Sequence, residues 1–391
     1  MKVTTPATEG AQERESVFHR LYTGTGAFDI VGKRTRWYIA FGLLLLVCIG
    51  AMGFKGFNLG IDFEGGTKIS MPAVGAQGPI QTDQVQSAFS EAMGHPAETV
   101  QVVGAGANQS IQVRSSSLTV DQVIEVKQKI FEGTQPLGAG GQPSQQVISD
   151  SAVSGTWGGE ITSQALLALG VFLVLVTIFL AFYFEKWMAV AALIALLHDV
   201  VITAGIYSLV GFEVTPSTVI GLLTILGFSL YDTVVVFDKV KENTRGLLSM
   251  TRRTYPEAAN LAVNQTLMRS INTSIVALLP VIGLLVVGAG LLGVGVLRDL
   301  ALVQLVGMIA GVLSSIFLAT PLLVDFKMRE SKYRSHAKKV EQRRAKTAAR
   351  EAGEEVPEEP KKPVAAGSNG RQQSAARPAG KSSRPSGKRR R

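Results

Sequence analysis

The run VIGLLTILGFSLYDTVVVF, residues 219–237, contains one charged side chain, that of Asp232. An apolar run of this length can cross the hydrocarbon core of a bilayer, so it predicts a membrane-spanning helix. A carboxyl inside such a helix costs about 3 kcal/mol to insert, so it should face protein or a water-filled cavity. Asp232 is therefore the first candidate functional residue.

The overall composition is also that of a membrane protein, with 46% hydrophobic and 18% charged residues in a chain of 391. Windows of about twenty apolar residues predict six spanning helices, at residues 37–57, 161–184, 187–210, 217–237, 270–292 and 300–324. Lys and Arg cluster before span one, between spans four and five, and after span six. The positive-inside rule then places both termini, including an N-terminal segment of residues 1–36, in the cytoplasm.

The long segment between spans one and two, residues 58–160, predicts a separate extracytoplasmic domain. Extended stretches are expected near residues 67–71, 99–103, 110–114 and 145–149, and apolar spacing predicts helices at 83–93 and 120–131. This order is typical of a ferredoxin-like α+β sandwich. The predicted fold is an α-helical membrane protein with six transmembrane helices, the last five within residues 161–326, and a small ferredoxin-like domain between helices 1 and 2.

Apolar periodicity ends near residue 327, and residues 327–391 are rich in Lys, Arg, Ala, Glu, Pro, Gly and Ser. This composition predicts a disordered basic tail in the cytoplasm. Its positive charge favours contact with anionic membrane lipids. Binding to RNA is the alternative, but few aromatic residues interleave with the basic ones, so no specific nucleic acid is expected as a partner.

Span three contains a second intramembrane carboxyl, that of Asp199, directly after His198. Ala192, Ala195, Asp199 and Thr203 fall on one helical face and form a small, polar stripe suited to close packing. We expect Asp199 to belong to a proton pathway, because ionisable groups inside membranes are mostly functional; the alternative is a buried carboxyl that only fixes helix packing. His198 either carries a proton or donates a hydrogen bond to a backbone carbonyl.

Asp232 shares a helical face with Ser229, and Thr233 is adjacent, so both hydroxyls could hydrogen-bond its carboxyl. Arg269 opens span five, and its guanidinium could pair with such a carboxylate and control its proton affinity. The alternatives are a permanent structural ion pair and an anchor at the membrane interface. The first turns of span five also contain two supporting polar residues, Asn272 and Thr273.

Two further stretches are rich in small residues. Span six has Gln304, Gly307, Gly311 and either Ser314 or Ser315 at helical spacing, which predicts a helix-packing seam. The stretch GIDFEGGT, residues 60–67, follows span one, and its glycines permit tight turns. It predicts a joint that moves as a hinge, with a fixed joint as the alternative. The candidate hinge residues are Gly60, Asp62, Gly65 and Gly66.

The sequence lacks the motifs G-x-x-x-x-G-K-[ST], H-E-x-x-H and G-x-S-x-G of phosphate-binding loops, zinc proteases and serine hydrolases. Cys48 is the only cysteine and lies within span one, so neither a disulfide nor a thiolate metal site is available. These features predict a protein that is not an enzyme and that has no metal or organic cofactor. Its energy should come from another source or a partner.

Four motifs, in the order GIDFEGGT, LHD, SLYDTVVVFDKVKENTR and RSINTS, together resemble the SecF family of bacterial protein-export membrane subunits. The resemblance covers about residues 30–326 and extends to the resistance-nodulation-division superfamily of proton-driven transporters. It implies that Asp232 and Arg269 take part in proton flow, and that His198 and Asp199 belong to the same machinery. Tyr231 departs from the family pattern, in which Asn often precedes the aspartate, and the long basic tail is not part of that pattern.

The resemblance also implies a multi-pass protein of the bacterial cytoplasmic membrane that assists the Sec preprotein translocase. SecD would supply the other half of the transporter, with SecYEG and YajC as further partners and translocating preproteins as the cargo. H⁺ is the expected coupling ion, and Na⁺ stays open because carboxylates, hydroxyls and carbonyls suit both. One alternative is a proton-coupled half-size efflux permease, and another is a scaffold whose buried charges are structural.

Overall fold

The computed structural model describes residues 28–103, 109–138, 140–291 and 295–352. Within these residues six helices are long and apolar enough to cross a membrane, which confirms the predicted number. We number them spans one to six: Arg34–Lys55, Gly155–Tyr183, Lys186–Val210, Pro216–Ser249, Tyr255–Gly288 and Val296–Arg329. The chain is a multi-pass membrane protein.

The regular elements up to span two are α1 (Arg34–Lys55), β1 (Asn58–Leu59), α2 (Ile61–Glu64), β2 (Gly66–Pro72), β3 (Val74–Gly75), β4 (Gly78–Pro79), α3 (Thr82–Met93), β5 (Thr99–Val103), β6 (Ser110–Ser115), α4 (Val120–Thr134) and β7 (Ser149–Val153). From span two onward they are α5 (Gly155–Tyr183), α6 (Lys186–Val210), β8 (Glu213–Val214), α7 (Pro216–Asn243), α8 (Tyr255–Gly283), α9 (Gly295–Ser314), α10 (Thr320–Arg329) and α11 (Ser331–Glu351). Two π-helical segments interrupt the pattern: Leu284–Leu291 follows α8, and Ser315–Ala319 joins α9 to α10 within span six.

The domain between spans one and two has the predicted ferredoxin-like order. Its sheet is antiparallel with the strand order β5-β6-β2-β7, and α3 and α4 bury their apolar sides against it. The helices contribute Val85, Phe89, Val126 and Ile130 to this core. The fourth strand lies later than the predicted 145–149, because a 3-10 turn, Gln145–Val147, precedes it.

Helix α8 begins at Tyr255, well before the predicted start of span five at residue 270. The helical turns before residue 270 bind the segment that leads into span one through hydrogen bonds. Asn260 Oδ1 accepts hydrogen bonds from the backbone N–H groups of Ile30 and Val31 at 2.9 and 3.0 Å, and Asn264 bonds both the N–H and the carbonyl of Phe28. These polar side chains lower the hydropathy of the stretch, so apolar windows alone do not detect it.

The stretch after span six differs from the predicted disordered tail. Residues 327–351 belong to helices α10 and α11, apart from Glu330 between them. In α11, His336 and Val340 are buried, and His336 Nε2 lies 2.6 Å from the Met250 carbonyl. The end of α11 belongs to a second unit of the chain, Arg344–Arg391, and residues 353–391 lie outside the described part.

Glycines allow the spans to approach each other closely. A Cβ atom on Gly205 of span three would lie 2.2 Å from the Cβ of Cys48 in span one. A Cβ on Gly221 of span four would similarly lie 2.3 Å from the nearest Val303 methyl of span six. Both distances are far below van der Waals contact. Spans one and three, and spans four and six, can therefore approach this closely only because glycine has no side chain.

We therefore expect Gly205→Val to separate spans one and three and to destabilise the protein by about 1–3 kcal/mol through overpacking. The measurement is the melting temperature in detergent, together with the rate at which a membrane-permeant maleimide labels Cys48, which is fully buried in the wild type. Gly227→Val is the matched control, because a Cβ at Gly227 meets nothing within 4 Å. Equal labelling rates in the two variants would contradict the packing.

Candidate functional site

Asp199 lies in the middle of span three and is 1% exposed. Its Oδ2 accepts hydrogen bonds from two serine hydroxyls, Ser229 of span four at 2.5 Å and Ser314 of span six at 2.8 Å. Its Oδ1 lies 3.2 Å from Nδ1 of His198. The carboxyl is thus bound by groups of three different spans.

Asp232 is buried one helix away, in span four, and is 4% exposed. Its Oδ1 accepts a hydrogen bond of 2.6 Å from Ser270 of span five. Its Oδ2 accepts a second one from Ser315 of span six. Both oxygens of this carboxyl are therefore occupied by hydroxyl donors, as expected for a charged group in a low-dielectric interior.

Two adjacent serines of span six connect the carboxyls, since Ser314 donates to Asp199 and Ser315 donates to Asp232. The regular helix ends at Ser314, and the π-helical segment begins at Ser315. π-Helical segments are rare overall, but those that occur are often found at functional sites. The two sets of hydrogen bonds, joined through the backbone between Ser314 and Ser315, form a network across spans three to six.

Glycines of the predicted seam in span six bring this network together. A Cβ atom on Gly311 would lie 2.9 Å from the Cβ of Ser229, and one on Gly307 would lie 2.5 Å from Ile225 Cδ1. The packing function predicted for the seam is therefore present. The prediction missed that the serines at its end bind the carboxyls, because sequence spacing does not tell which helix faces which.

The hydroxyl partners predicted for Asp232 are not the observed ones. Ser229 bonds Asp199 instead of the carboxyl on its own helix, and Thr233, although 3% exposed, bonds neither carboxyl among the described residues. Ser270, and not the neighbouring Arg269 as predicted, supplies the direct contact from span five. The reason is geometric, because the Ser229 hydroxyl points across the interface towards span three.

Arg269 is exposed, and in the described part of the chain it forms no ion pair with Asp232. It lies at nearly the depth of Asp232, because the next residue, Ser270, bonds that carboxyl. Asn272 is exposed and Thr273 half-buried, and within the described residues neither bonds Asp199 or Asp232. The polar stretch in the middle of span five therefore presents Arg269 and Asn272 to the outside of this chain.

His198 is buried and forms an edge-on contact with Phe41 of span one, at 5.3 Å between ring centroids. While the Asp199 carboxyl is ionised it can only accept, and in that state the ring donates from Nδ1. Nε2 has no hydrogen-bond partner among the described residues. The observed partner is thus the Asp199 carboxyl, not the backbone carbonyl considered from the sequence.

The predicted hinge is a compact joint. Gly65 and Gly66 have φ values of 80° and 131°, which other residues rarely adopt. A Cβ on Gly65 would lie 2.7 Å from the backbone nitrogen of Gly155, at the start of span two. Gly60 lies against β8, and Asp62 belongs to the short helix α2. The glycines are thus required by the local packing, and movement at this joint stays a prediction.

Arg114 of β6 is a connecting residue that the sequence patterns did not single out. Its guanidinium contacts Asn58 at 3.2 Å and Glu64 at 3.3 Å in the joint, and Glu213 at 3.8 Å between spans three and four. Strand β1 also pairs with β8 in parallel, Asn58 opposite Glu213. The domain is thus fixed both to the joint and to the spans that contain the two carboxyls.

The chemistry available at the network is proton or ion exchange. A buried carboxyl can take up and release a proton, and serine hydroxyls can both donate and accept hydrogen bonds. Oxygen-only ligands also suit hard cations. Among the described residues, no group of three or more His, Cys, Asp or Glu side chains could hold a metal ion.

Comparison with known proteins gives the family. Residues 135–329 match the family described as protein export membrane protein SecD/SecF, C-terminal, and residues 50–74 match the SecD/SecF GG motif. The chain is 54% identical over 341 residues to protein translocase subunit SecF of Mycobacterium tuberculosis, covering 87% of this chain and 76% of the relative. The chain belongs to the SecF family.

SecF of Streptomyces coelicolor is 43% identical over 379 residues, or 95% of this chain and 98% of that one. Among solved structures, the crystal structure of SecDF, a translocon-associated membrane protein from Thermus thermophilus, superposes with a TM-score of 0.65 at 31% identity. The match covers 77% of this chain and 38% of the SecDF chain. The resemblance of the four motifs to the SecF family is thereby confirmed, and so is the fold class.

Proposed function

We propose that this SecF-family chain is a non-enzymatic accessory subunit of the bacterial preprotein translocase and uses an ion gradient to promote late steps of export. The observation that carries the proposal is the pair of buried carboxyls, Asp199 and Asp232, joined through adjacent serines of span six. Each proton that crosses a membrane releases about 2.3 kcal/mol per 100 mV of potential. The relatives' name, protein translocase subunit, supports the translocation role.

In this proposal H⁺ is the coupling ion and Asp232 is the group that exchanges it. Proton uptake would turn the carboxylate into a neutral acid and weaken the charge-assisted hydrogen bonds from Ser270 and Ser315. Span six could then shift, and Ser314 would pass that shift on to Asp199 of span three. Spans three and four connect through β8 and Arg114 to the α+β domain, so a helix movement would reach that domain.

The exposed surface around Arg269 favours contact with a partner subunit. An exposed guanidinium at the depth of Asp232 is costly against lipid, so Arg269 calls for a wet cavity or a second protein. Tyr231, next to Asp232, is also 49% exposed. We propose that a six-span subunit of the SecD type covers this surface in the bacterial cytoplasmic membrane, with both termini cytoplasmic. SecYEG, YajC and translocating preproteins are the further expected partners.

The partnership can be tested with a photoreactive amino acid at Tyr231 in the intact membrane. We expect a cross-linked adduct with a second membrane subunit, identified by mass spectrometry, and co-purification of the same subunit. The same probe at Leu167 of span two, which is 67% exposed, should react with lipid only. Absence of an adduct at Tyr231, with no second subunit after gentle purification, would refute the proposed complex.

A further inference from the structure

A cavity of about 720 Å³ opens at the end of the bundle opposite the α+β domain. It lies where α7 ends and α6 and α8 begin, beside the end of α10. Its wall includes side chains of both charges as well as tyrosines. Neither the proposed ion pathway nor the joint uses any of them.

The acidic side chains of the cavity are already engaged. Glu185 pairs with Lys327, and the Glu242 carboxylate lies 2.9 Å from Lys239. Asp238 accepts a hydrogen bond of 3.2 Å from the hydroxyl of Tyr183. Glu185 and Glu242 are thus paired with lysines, whereas Asp238 keeps its negative charge because a tyrosine hydroxyl is neutral.

Two cations remain without a carboxylate. Lys241 lies in the last turn of α7, and Arg245 follows in the turn after that helix. In the described part of the chain, neither has an ion pair, and Lys241 Nζ lies 5.9 Å from the ring of Tyr183. Both side chains are exposed at the mouth of the cavity. Against these two cations stands the carboxylate of Asp238, so this end of the cavity keeps a net positive charge and favours an anion.

The position of the cavity indicates the kind of anion. Lys241 lies one helical turn beyond the apolar run of residues 219–237, and thus at the level of the lipid headgroups. Tyr255 lines the wall, is 2% exposed, and its hydroxyl has no hydrogen-bond partner among the described residues. The cavity thus has an unsatisfied donor in its wall and two cations at its mouth, and both suit the oxygens of a phosphate group.

We propose that this cavity binds a phosphate group at the membrane surface through Lys241 and Arg245, with the Tyr255 hydroxyl as an additional donor. The phosphate belongs either to the headgroup of an anionic phospholipid or to a soluble phosphate. A lipid bound here would contact α6, α7, α8 and α10, the helices that lead to both buried carboxyls. Anionic lipid would then stabilise one arrangement of these helices.

The test measures phospholipid retained by the purified full-length complex after equilibration in detergent with equal amounts of phosphatidylglycerol and phosphatidylcholine. We expect the wild type to retain phosphatidylglycerol preferentially, and Lys241→Gln/Arg245→Gln to retain about tenfold less. Lys338→Gln/Lys339→Gln, which removes the same charge from exposed positions of α11, is the control and should behave as wild type. Lys241→Arg/Arg245→Lys keeps the charge and should keep the preference.

A second arm of the experiment adds inorganic phosphate and so distinguishes a phospholipid headgroup from a soluble phosphate as the ligand. Competition by millimolar phosphate against the lipid would support recognition of the phosphate group itself, with a soluble ligand as its source. Lipid that resists phosphate would support the headgroup as the source. Equal retention of phosphatidylglycerol by the wild type and the Lys241→Gln/Arg245→Gln variant, without phosphate binding to either, would overturn the proposal.

Discussion

Asp232→Asn is expected to reduce ion-driven protein export to the level of cells that lack this chain. An asparagine has nearly the same shape and can still accept a hydrogen bond from Ser270 or Ser315, but it cannot take up a proton. The helices should therefore assemble while the coupling is lost. The measurement is the export rate of a secreted reporter in cells whose only copy is the variant, with and without collapse of the proton gradient.

The outcome separates the proposal from both alternatives. Wild-type export with wild-type dependence on the proton gradient would assign Asp232 a structural role. Loss of drug resistance without an export defect would instead favour an efflux permease. Asp121→Asn, on the exposed first turn of α4, removes an aspartate outside the spans and is the control. Repeating the assay with Na⁺ replaced by K⁺ distinguishes the coupling ion.

The sequence predicts most of the fold because the signals are long or periodic. Six apolar runs and the order of strands and helices in the domain are of this kind. The sequence does contain a weaker signal for the helix after residue 330, because Tyr333, Ala337 and Val340 follow helical spacing among charged residues. Their burial against other elements, which stabilises the helix, cannot be deduced from composition.

The candidate site was predictable in its carboxyls and not in their partners. Asp199 and Asp232 stand out because each is a charge in an apolar run. Ser229 was matched to the wrong carboxyl, and Ser314 and Ser315 were interpreted as packing residues only. These errors share one cause, since hydrogen bonds between helices depend on how spans three, four and six pack against one another.

Ser315→Ala is the second change with a large expected effect. It removes a hydroxyl from the Asp232 carboxyl inside the membrane, and a hydrogen bond to a charged group contributes about 1.5–3 kcal/mol. That corresponds to a factor of roughly ten or more in the equilibrium between the arrangement in which Ser315 bonds Asp232 and the one in which it does not. We expect gradient-dependent export to fall by a similar factor, measured with the same reporter. Thr224→Ala is the control, because that hydroxyl bonds the Ile220 carbonyl of its own helix.

A pair of double-mutant cycles tests whether the two serines act on different carboxyls. The free energy of unfolding in mixed micelles is measured for Ser315→Ala with Asp232→Ala, and for Ser314→Ala with Asp199→Ala, since alanine removes the acceptor. Residues in direct contact show coupling of about 0.5–3 kcal/mol, so each matched pair should be clearly non-additive. The exchanged pairs, Ser315 with Asp199 and Ser314 with Asp232, should couple less because no hydrogen bond joins them. Equal coupling in all four combinations would mean that span six acts on both carboxyls as a unit, and the separate assignment of Ser314 and Ser315 would fail.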